Sequence, residues 1–152
     1  MKIHTAFVAA LTIVAAVAAT GCGHVMMMMH GKNIARPSAT EFGTGPRASA
    51  LRQFTATLQP DQPLRPRRMH TVRVAIIDAA GVAVNDATIR IDGGMPQHGH
   101  GLPTQPQVSR YLGDGAYLVE GMKFQMTGWW VVDFDIDAAD RSDQVRFNLM
   151  LK

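Results

Sequence analysis

The sequence predicts an all-β domain in its C-terminal part. From Met69 onward, apolar and polar residues alternate in short runs, and turn-forming residues such as Gly, Asp and Asn separate these runs. With one earlier run, they make up about seven predicted strands, and no crossover helices are indicated between them, which favours antiparallel pairing. Short alternating strands with frequent turns are typical of an immunoglobulin-like β-sandwich, and this is the fold class that we expect.

The individual strands follow from their apolar positions. The first is expected near Phe54–Leu58, and the second is defined by Val72, Val74 and Ile76. The remaining five are expected near Ala87–Ile91, Val108–Leu112, Ala116–Met122, Trp130–Ile136 and Val145–Leu151. The triplet Gly113–Gly115 between two of these runs predicts a β-hairpin.

The N-terminus has the features of an export signal. Lys2 precedes an apolar run at residues 6–19, which is too short to span a bilayer comfortably. The end of this segment, Ala19-Thr20-Gly21-Cys22, resembles a bacterial lipobox, in which the cysteine is lipidated after cleavage. Residues 1–21 are therefore expected to be a lipoprotein signal peptide. The alternatives are ordinary signal peptidase cleavage nearby or an uncleaved anchor.

Cys22 is the only cysteine of the chain, and a free thiol in an exported protein invites intermolecular pairing. Lipidation would convert the thiol into a thioether and would anchor the chain stably in a membrane. We therefore expect a lipoprotein of the cell envelope that faces the periplasm. Gly23 after the cysteine favours the outer membrane over the inner one.

A tether is expected between the anchor and the folded domain. Residues 22–53 are rich in small and polar residues and have no sustained periodicity, so the sandwich is assigned to residues 54–152. Further on, Arg65, Arg67 and Arg68 form a basic turn, which we interpret as a solvated loop, with contact to anionic lipid as the alternative. The net charge of +3 is too small to indicate nucleic acid as a partner.

One loop carries residues suited to metal binding. The segment Met95–Pro103 contains His98 and His100, which would lie on the same side of an extended chain. Imidazole suits copper, zinc and nickel, and thioether sulfur favours Cu(I). Met95 belongs to this loop, and Met126 lies in a loop expected at the same end of the sandwich. The alternative is an ordinary exposed loop with methionines in the core.

The expected tether contains a second set of possible ligands. These are His24, Met26, Met27, Met28, Met29 and His30. Methionines in a segment without a core are difficult to explain by packing, and together with the histidines they could capture Cu(I). The alternative is that they lie at the lipid interface.

Three spaced motifs of the chain resemble the YtkA-like family, which is related to FixH-type proteins. They are the Met-Pro-x-His-x-His-Gly-x-Pro loop at Met95–Pro103, the hairpin at Gly113–Gly115, and the turn at Gly121–Trp130. The resemblance covers roughly Met69 to Lys152 and implies an exported or membrane-tethered sandwich domain, in some members in a setting of copper handling. His98, His100, Met95 and Met126 match the motif and would hold a copper ion.

Three functions are compatible with these features. The first is a copper-binding envelope lipoprotein that acts as a chaperone or buffer and serves another copper-handling protein of the envelope. The second is a module for protein–protein interaction or structure that binds no metal. The third is an enzyme, which we do not expect, because the sequence contains no Ser-His-Asp order, nucleophile elbow, reactive cysteine or HExxH motif.

Overall fold

The computed structural model describes residues 35–152. It contains a short 3₁₀ helix at Ala39–Glu41 and nine strands. The strands are β1 (Arg47–Ala48), β2 (Phe54–Pro60), β3 (Met69–Asp78), β4 (Thr88–Met95), β5 (His100–Gly101), β6 (Gln107–Gly113), β7 (Ala116–Lys123), β8 (Gly128–Ala138) and β9 (Arg141–Leu151). The predicted signal peptide, Cys22 and the segment His24–His30 lie outside the described residues.

The strands form two antiparallel sheets, which confirms the predicted fold class. The first sheet has the order β1-β2-β3-β7-β6, and the second has the order β5-β4-β8-β9. All seven predicted strands are present. The two further strands, β1 and β5, have two residues each and therefore leave no alternation in the sequence for a pattern to detect.

The core lies between the two sheets and is built by the alternation of each strand. On β8, Trp130, Val132, Phe134 and Ile136 are fully buried, and the same is true of Val72, Val74 and Ile76 on β3. Phe134 and Phe147 meet edge to face with ring centroids 5.7 Å apart, which is a favourable arrangement for aromatic rings. Asp133 on the opposite face of β8 accepts two hydrogen bonds of 2.7 Å from Arg146, and its carboxylate is therefore paired at the surface.

Part of the segment before β2 packs against the sandwich. The Gly43 N–H donates to the Asn148 carbonyl on β9, and the Leu58 N–H of β2 donates to the Thr44 carbonyl. Residues 42–44 therefore connect β9 of the second sheet with β2 of the first, and β1 adds to the first sheet through β2. The sequence suggests a domain boundary at Phe54, which lies after these contacts. The contacts use backbone groups, so they leave no apolar pattern in the sequence that would reveal them.

A buried tyrosine fastens the connection between the two sheets. Tyr117 on β7 is 3% exposed, and its hydroxyl donates to the Val84 carbonyl at 2.7 Å. The same hydroxyl accepts from the Ala87 N–H at 2.9 Å. Val84 and Ala87 belong to the segment that passes from β3 in one sheet to β4 in the other. One side chain therefore satisfies two backbone groups of the crossover, and burial raises its pKa.

We expect Tyr117→Phe to lower the free energy of unfolding by about 1–3 kcal/mol, because it leaves a buried acceptor and a partly buried donor without partners. Urea unfolding followed by tryptophan fluorescence would measure the loss. Tyr111→Phe is the control, because Tyr111 is 42% exposed and water can replace its hydrogen bond to Asn85. Equal losses in the two variants would contradict the role assigned to Tyr117.

A second polar contact holds the turn before β2 against the start of β9. The Asp143 carboxylate accepts hydrogen bonds from the Ser49 hydroxyl and from the backbone N–H groups of Leu51 and Gln53. Burial is the largest single influence on the pKa of Asp143 and acts to raise it. The hydrogen bonds from Ser49 and from backbone N–H groups together outweigh burial, so the pKa is lowered below the ordinary value of 3.8.

Because the folded-state pKa of Asp143 is lowered, its contribution to stability is complete above pH 3.8 and is lost as the pH falls through the folded-state pKa. We expect Asp143→Asn to destabilise the protein at pH 7 and to have a smaller effect at pH 3, as measured by urea unfolding at both pH values. Asp140→Asn, in the neighbouring turn, is the control. A loss in Asp143→Asn that does not change with pH would show that the charge of Asp143 is unimportant.

Candidate metal-binding loop end

Strand pairing brings the two loops that the sequence singles out to the same end of the sandwich. β4 and β8 are antiparallel neighbours with Gly94 opposite Val131, so the end of β4 lies beside the beginning of β8. A side chain built on Gly128 would approach the Met95 methyl group to 2.9 Å, which shows how close the two loops come. We refer to this end, where β4, β7 and β9 finish, as the loop end.

The two histidines belong to a β-hairpin, not to an extended chain. β4 continues to Met95 and pairs with β5, with Met95 opposite His100 and Gly94 opposite Gly101. The N–H groups of His98 and Gly99 both lie 3.0 Å from the Met95 carbonyl and donate to it, which closes the turn. Gly99 has a φ of +65°, which glycine adopts without steric cost. We call residues 94–101 the histidine hairpin.

The turn still brings the two imidazoles together. The ring centroids of His98 and His100 are 6.2 Å apart, and the ring planes differ by 10°. Both side chains are exposed. Ligand nitrogens lie about 2 Å from a bound metal ion, so a modest rotation of either side chain would allow both rings to reach one ion. The expectation of neighbouring histidines therefore agrees with the geometry, although the backbone that produces it is different.

The two candidate sulfur ligands have different surroundings. Met95 is 2% exposed and belongs to the hydrophobic core, with its methyl group against Gly128. Met126 is 40% exposed, and its carbonyl accepts a hydrogen bond of 3.0 Å from the Trp130 indole. Trp130 packs edge to face on Phe124, which fixes the backbone beneath Met126. The Met126 sulfur could therefore reach a metal ion at the surface, whereas the Met95 side chain would first have to leave the core.

His70 lies at the same end and has a structural role that the sequence does not reveal. His70 is 4% exposed, and its Nε2 lies 3.2 Å from the backbone nitrogen and 2.9 Å from the backbone oxygen of Arg65. The Arg67 N–H donates to the Phe124 carbonyl at 2.7 Å. These contacts fasten residues 61–68 to the loop that carries Met126. A lone histidine in an alternating strand gives no sign of this role in the sequence.

Within residues 35–152, no group of three or more His, Cys, Asp or Glu side chains is arranged to hold a metal ion. His98 and His100 are therefore a pair without a third side chain of these types arranged beside them. The described part of the chain also has no helix of the length and apolar character that a membrane span requires.

The fold and the loop end define a class of protein: a two-sheet sandwich module whose loops at one end carry the candidate ligands. The family model described as YtkA-like matches residues 49–135, which is more than half of the chain. The chain therefore belongs to the YtkA-like family. The match includes the histidine hairpin, both loops of the loop end and the first three quarters of β8.

Other comparisons add little to this assignment. No curated protein matches the chain. Among solved structures, the ZirS C-terminal domain is similar with 12% sequence identity and a TM-score of 0.35, over 99% of this chain and 93% of that one.

The close approach of β4 and β5 leads to a prediction about the histidine hairpin. A Cβ atom on Gly94 would lie 2.4 Å from the His100 carbonyl oxygen, whereas a Cβ on its partner Gly101 would meet no atom closer than 3.8 Å. We expect Gly94→Ala to cost about 1–3 kcal/mol in urea unfolding, as forced overpacking does, and Gly101→Ala to cost much less. Similar losses in both variants would contradict the pairing of β4 with β5.

Proposed function

We propose that this YtkA-like protein is an envelope lipoprotein, anchored through Cys22, that binds copper at the loop end and acts as a copper chaperone or buffer. The observation that carries the proposal is the pair of exposed imidazoles of His98 and His100, 6.2 Å apart on a short hairpin. Imidazole nitrogen with thioether sulfur is a donor set that suits copper and Cu(I) in particular.

The surroundings of the pair favour binding of an ion over a role in the core. Both rings are exposed, so neither is needed to fill the interior. Pro96 is buried at the start of the turn and restricts the backbone, which lowers the entropy lost when the ligands are held in place. His98 and His100 would bind through nitrogen and Met126 through sulfur.

Met95 has a second role in this proposal. Its side chain lies beneath the hairpin in the core, so it supports the turn in the metal-free protein and could join the ligands only after a change of rotamer. A thioether has three rotatable bonds and adapts easily to such a change. His24, Met26–Met29 and His30, close to the proposed anchor, would form a separate capture segment for Cu(I).

In a chain whose capture segment is removed by replacing His24, Met26–Met29 and His30 with serine, the proposal predicts that His98→Ala combined with His100→Ala abolishes tight Cu(I) binding. Loss of a group that only hydrogen-bonds to a metal ligand costs about 10–100-fold in metal affinity, so removal of two ligands should cost more. Competition with a chromogenic Cu(I) chelator would measure the affinity. Gln97→Ala, an exposed residue of the same turn, is the matched control.

Two further comparisons separate the contributions. Met126→Leu is expected to lower the affinity more than Met95→Leu, because only Met126 is exposed in the metal-free protein. His24→Ala with His30→Ala tests the capture segment independently of the hairpin. If the double variant of His98 and His100 retains the affinity of the Gln97→Ala control, the copper site is not in the hairpin.

A second candidate function is a protein-interaction module without a metal, and one observation favours it. β6 is an edge strand of the first sheet, and its neighbouring residues Tyr111 and Leu112 are 42% and 40% exposed. An edge strand with exposed apolar residues can accept an additional strand from a partner. A partner that is recovered equally well with and without a chelator, and lost on Leu112→Lys, would favour this function.

A further inference from the structure

The loop end carries a cluster of basic side chains that the copper proposal does not use. Arg65, Arg67 and Arg68 are all exposed on the segment between β2 and β3. None of the three forms an ion pair within residues 35–152. Lys123, at the end of β7, lies beside them because Met69 and Lys123 are register partners. We call Arg65, Arg67, Arg68 and Lys123 the basic rim.

The basic rim is held in position by the fold and is not a loose loop. His70 contacts both backbone polar groups of Arg65, and Arg67 has a φ of +63° while its N–H bonds to the Phe124 carbonyl. Apolar surface lies among these charges, because Met69 is 60% exposed and Met126 is 40% exposed. A rigid, basic and partly apolar surface suits the headgroup region of an anionic bilayer.

The opposite end of the sandwich has the opposite charge. The segments that connect strands there carry Asp86, Asp114 and Asp140, and β3 ends there at Asp78, whereas the turn before β2 contributes one exposed arginine, Arg52. Of these, Asp78 pairs with Arg141 at 3.7 Å. The charge of the domain is therefore polarised along the strands, and a negatively charged surface would attract the loop end and repel the other end.

The position of Arg36 shows at which end of the sandwich the described chain begins. The described chain begins at Ala35, and the Arg36 guanidinium lies 3.9 Å from the Met150 sulfur near the end of β9. Arg36 also lies over the Phe42 ring, which packs against Trp129 at the start of β8. Residues 23–35 separate Cys22 from Arg36, and such a segment spans at most about 45 Å when fully extended.

We propose that the basic rim docks the loop end directly on an anionic phospholipid surface. The proposal rests on the anchoring at Cys22 and not on copper. Arg65, Arg67 and Arg68 would contact lipid phosphates, and Met69 would enter the headgroup region. The sequence alone favours a solvated loop for these arginines, whereas three structural features favour lipid: the fixed rim, the polarised charge, and a chain that leaves the sandwich at the same end.

The test uses the chain lipidated at Cys22, whose sulfur is then a thioether, reconstituted into vesicles and recovered by flotation, so that every molecule compared is membrane-associated. Met69→Cys then provides a single thiol for an environment-sensitive fluorophore. Val82→Cys is the matched control, because Val82 is 61% exposed at the opposite end. Emission is compared in neutral phosphatidylcholine vesicles and in vesicles that also contain phosphatidylglycerol.

We expect a blue shift at position 69 in anionic vesicles only, reversed by high salt, and no shift at position 82. Each basic residue near an anionic surface raises the ratio of docked to undocked domain about five-fold. Arg65→Gln combined with Arg67→Gln and Arg68→Gln should therefore lower this ratio on the order of 100-fold. The control is Arg52→Gln combined with Arg73→Gln and Arg110→Gln, which removes the same charge from exposed positions outside the basic rim. This control should keep the blue shift at position 69.

Three results would overturn the proposal. The first is equal emission at positions 69 and 82 in both kinds of vesicle. The second is an equal loss of the shift in the two triple variants, which would show that only net charge matters. The third is a response of position 69 to soluble polyglutamate but not to anionic vesicles, which would show that the rim recognises an acidic protein surface. Because none of these measurements involves copper, they leave the test of the histidine hairpin unaffected.

Discussion

The antiparallel pairing of β8 with both β4 and β9 is the constraint on which the rest of the structure depends. β8 runs from Gly128 to Ala138 and lies between its two partners, so its alternation decides which side chains face the core. Trp130, Val132, Phe134 and Ile136 are all fully buried by this pairing. A shift of one residue would exchange these apolar residues for Val131 and the aspartates of the other face, and the cost of that exchange fixes the register.

The same register creates the loop end. Because Gly94 lies opposite Val131, β4 finishes where β8 begins, and the histidine hairpin meets the loop that carries Met126. The core supports this arrangement from below, since Met95, Phe124 and Trp130 are all buried there. The exposed imidazoles and arginines are therefore attached to a rigid backbone. A rigid backbone loses little conformational entropy on binding, which favours a binding surface.

The two proposals place different chemistry on neighbouring parts of one surface. His98 and His100 would bind a metal ion, whereas Arg65, Arg67 and Arg68 would hold the loop end near a membrane. If both are right, the metal site faces the lipid surface on which the domain is anchored. The domain would then exchange copper with a partner in or on that membrane and not with one that approaches from the opposite end.

The sequence by itself determined the fold class, the seven long strands and the neighbouring histidines, because alternation of period two and Gly-Asp-Gly turns are local signals. It did not determine β1 or β5, since pairs of two residues leave no pattern. The tertiary structure alone decided that Met95 is buried while Met126 is exposed, because burial depends on which strand lies opposite. It also decided that His70 is buried and fixes the basic rim, because that burial depends on the packing of the sheets. The end at which the chain leaves the sandwich follows from a contact between residues distant in sequence, Arg36 and Met150.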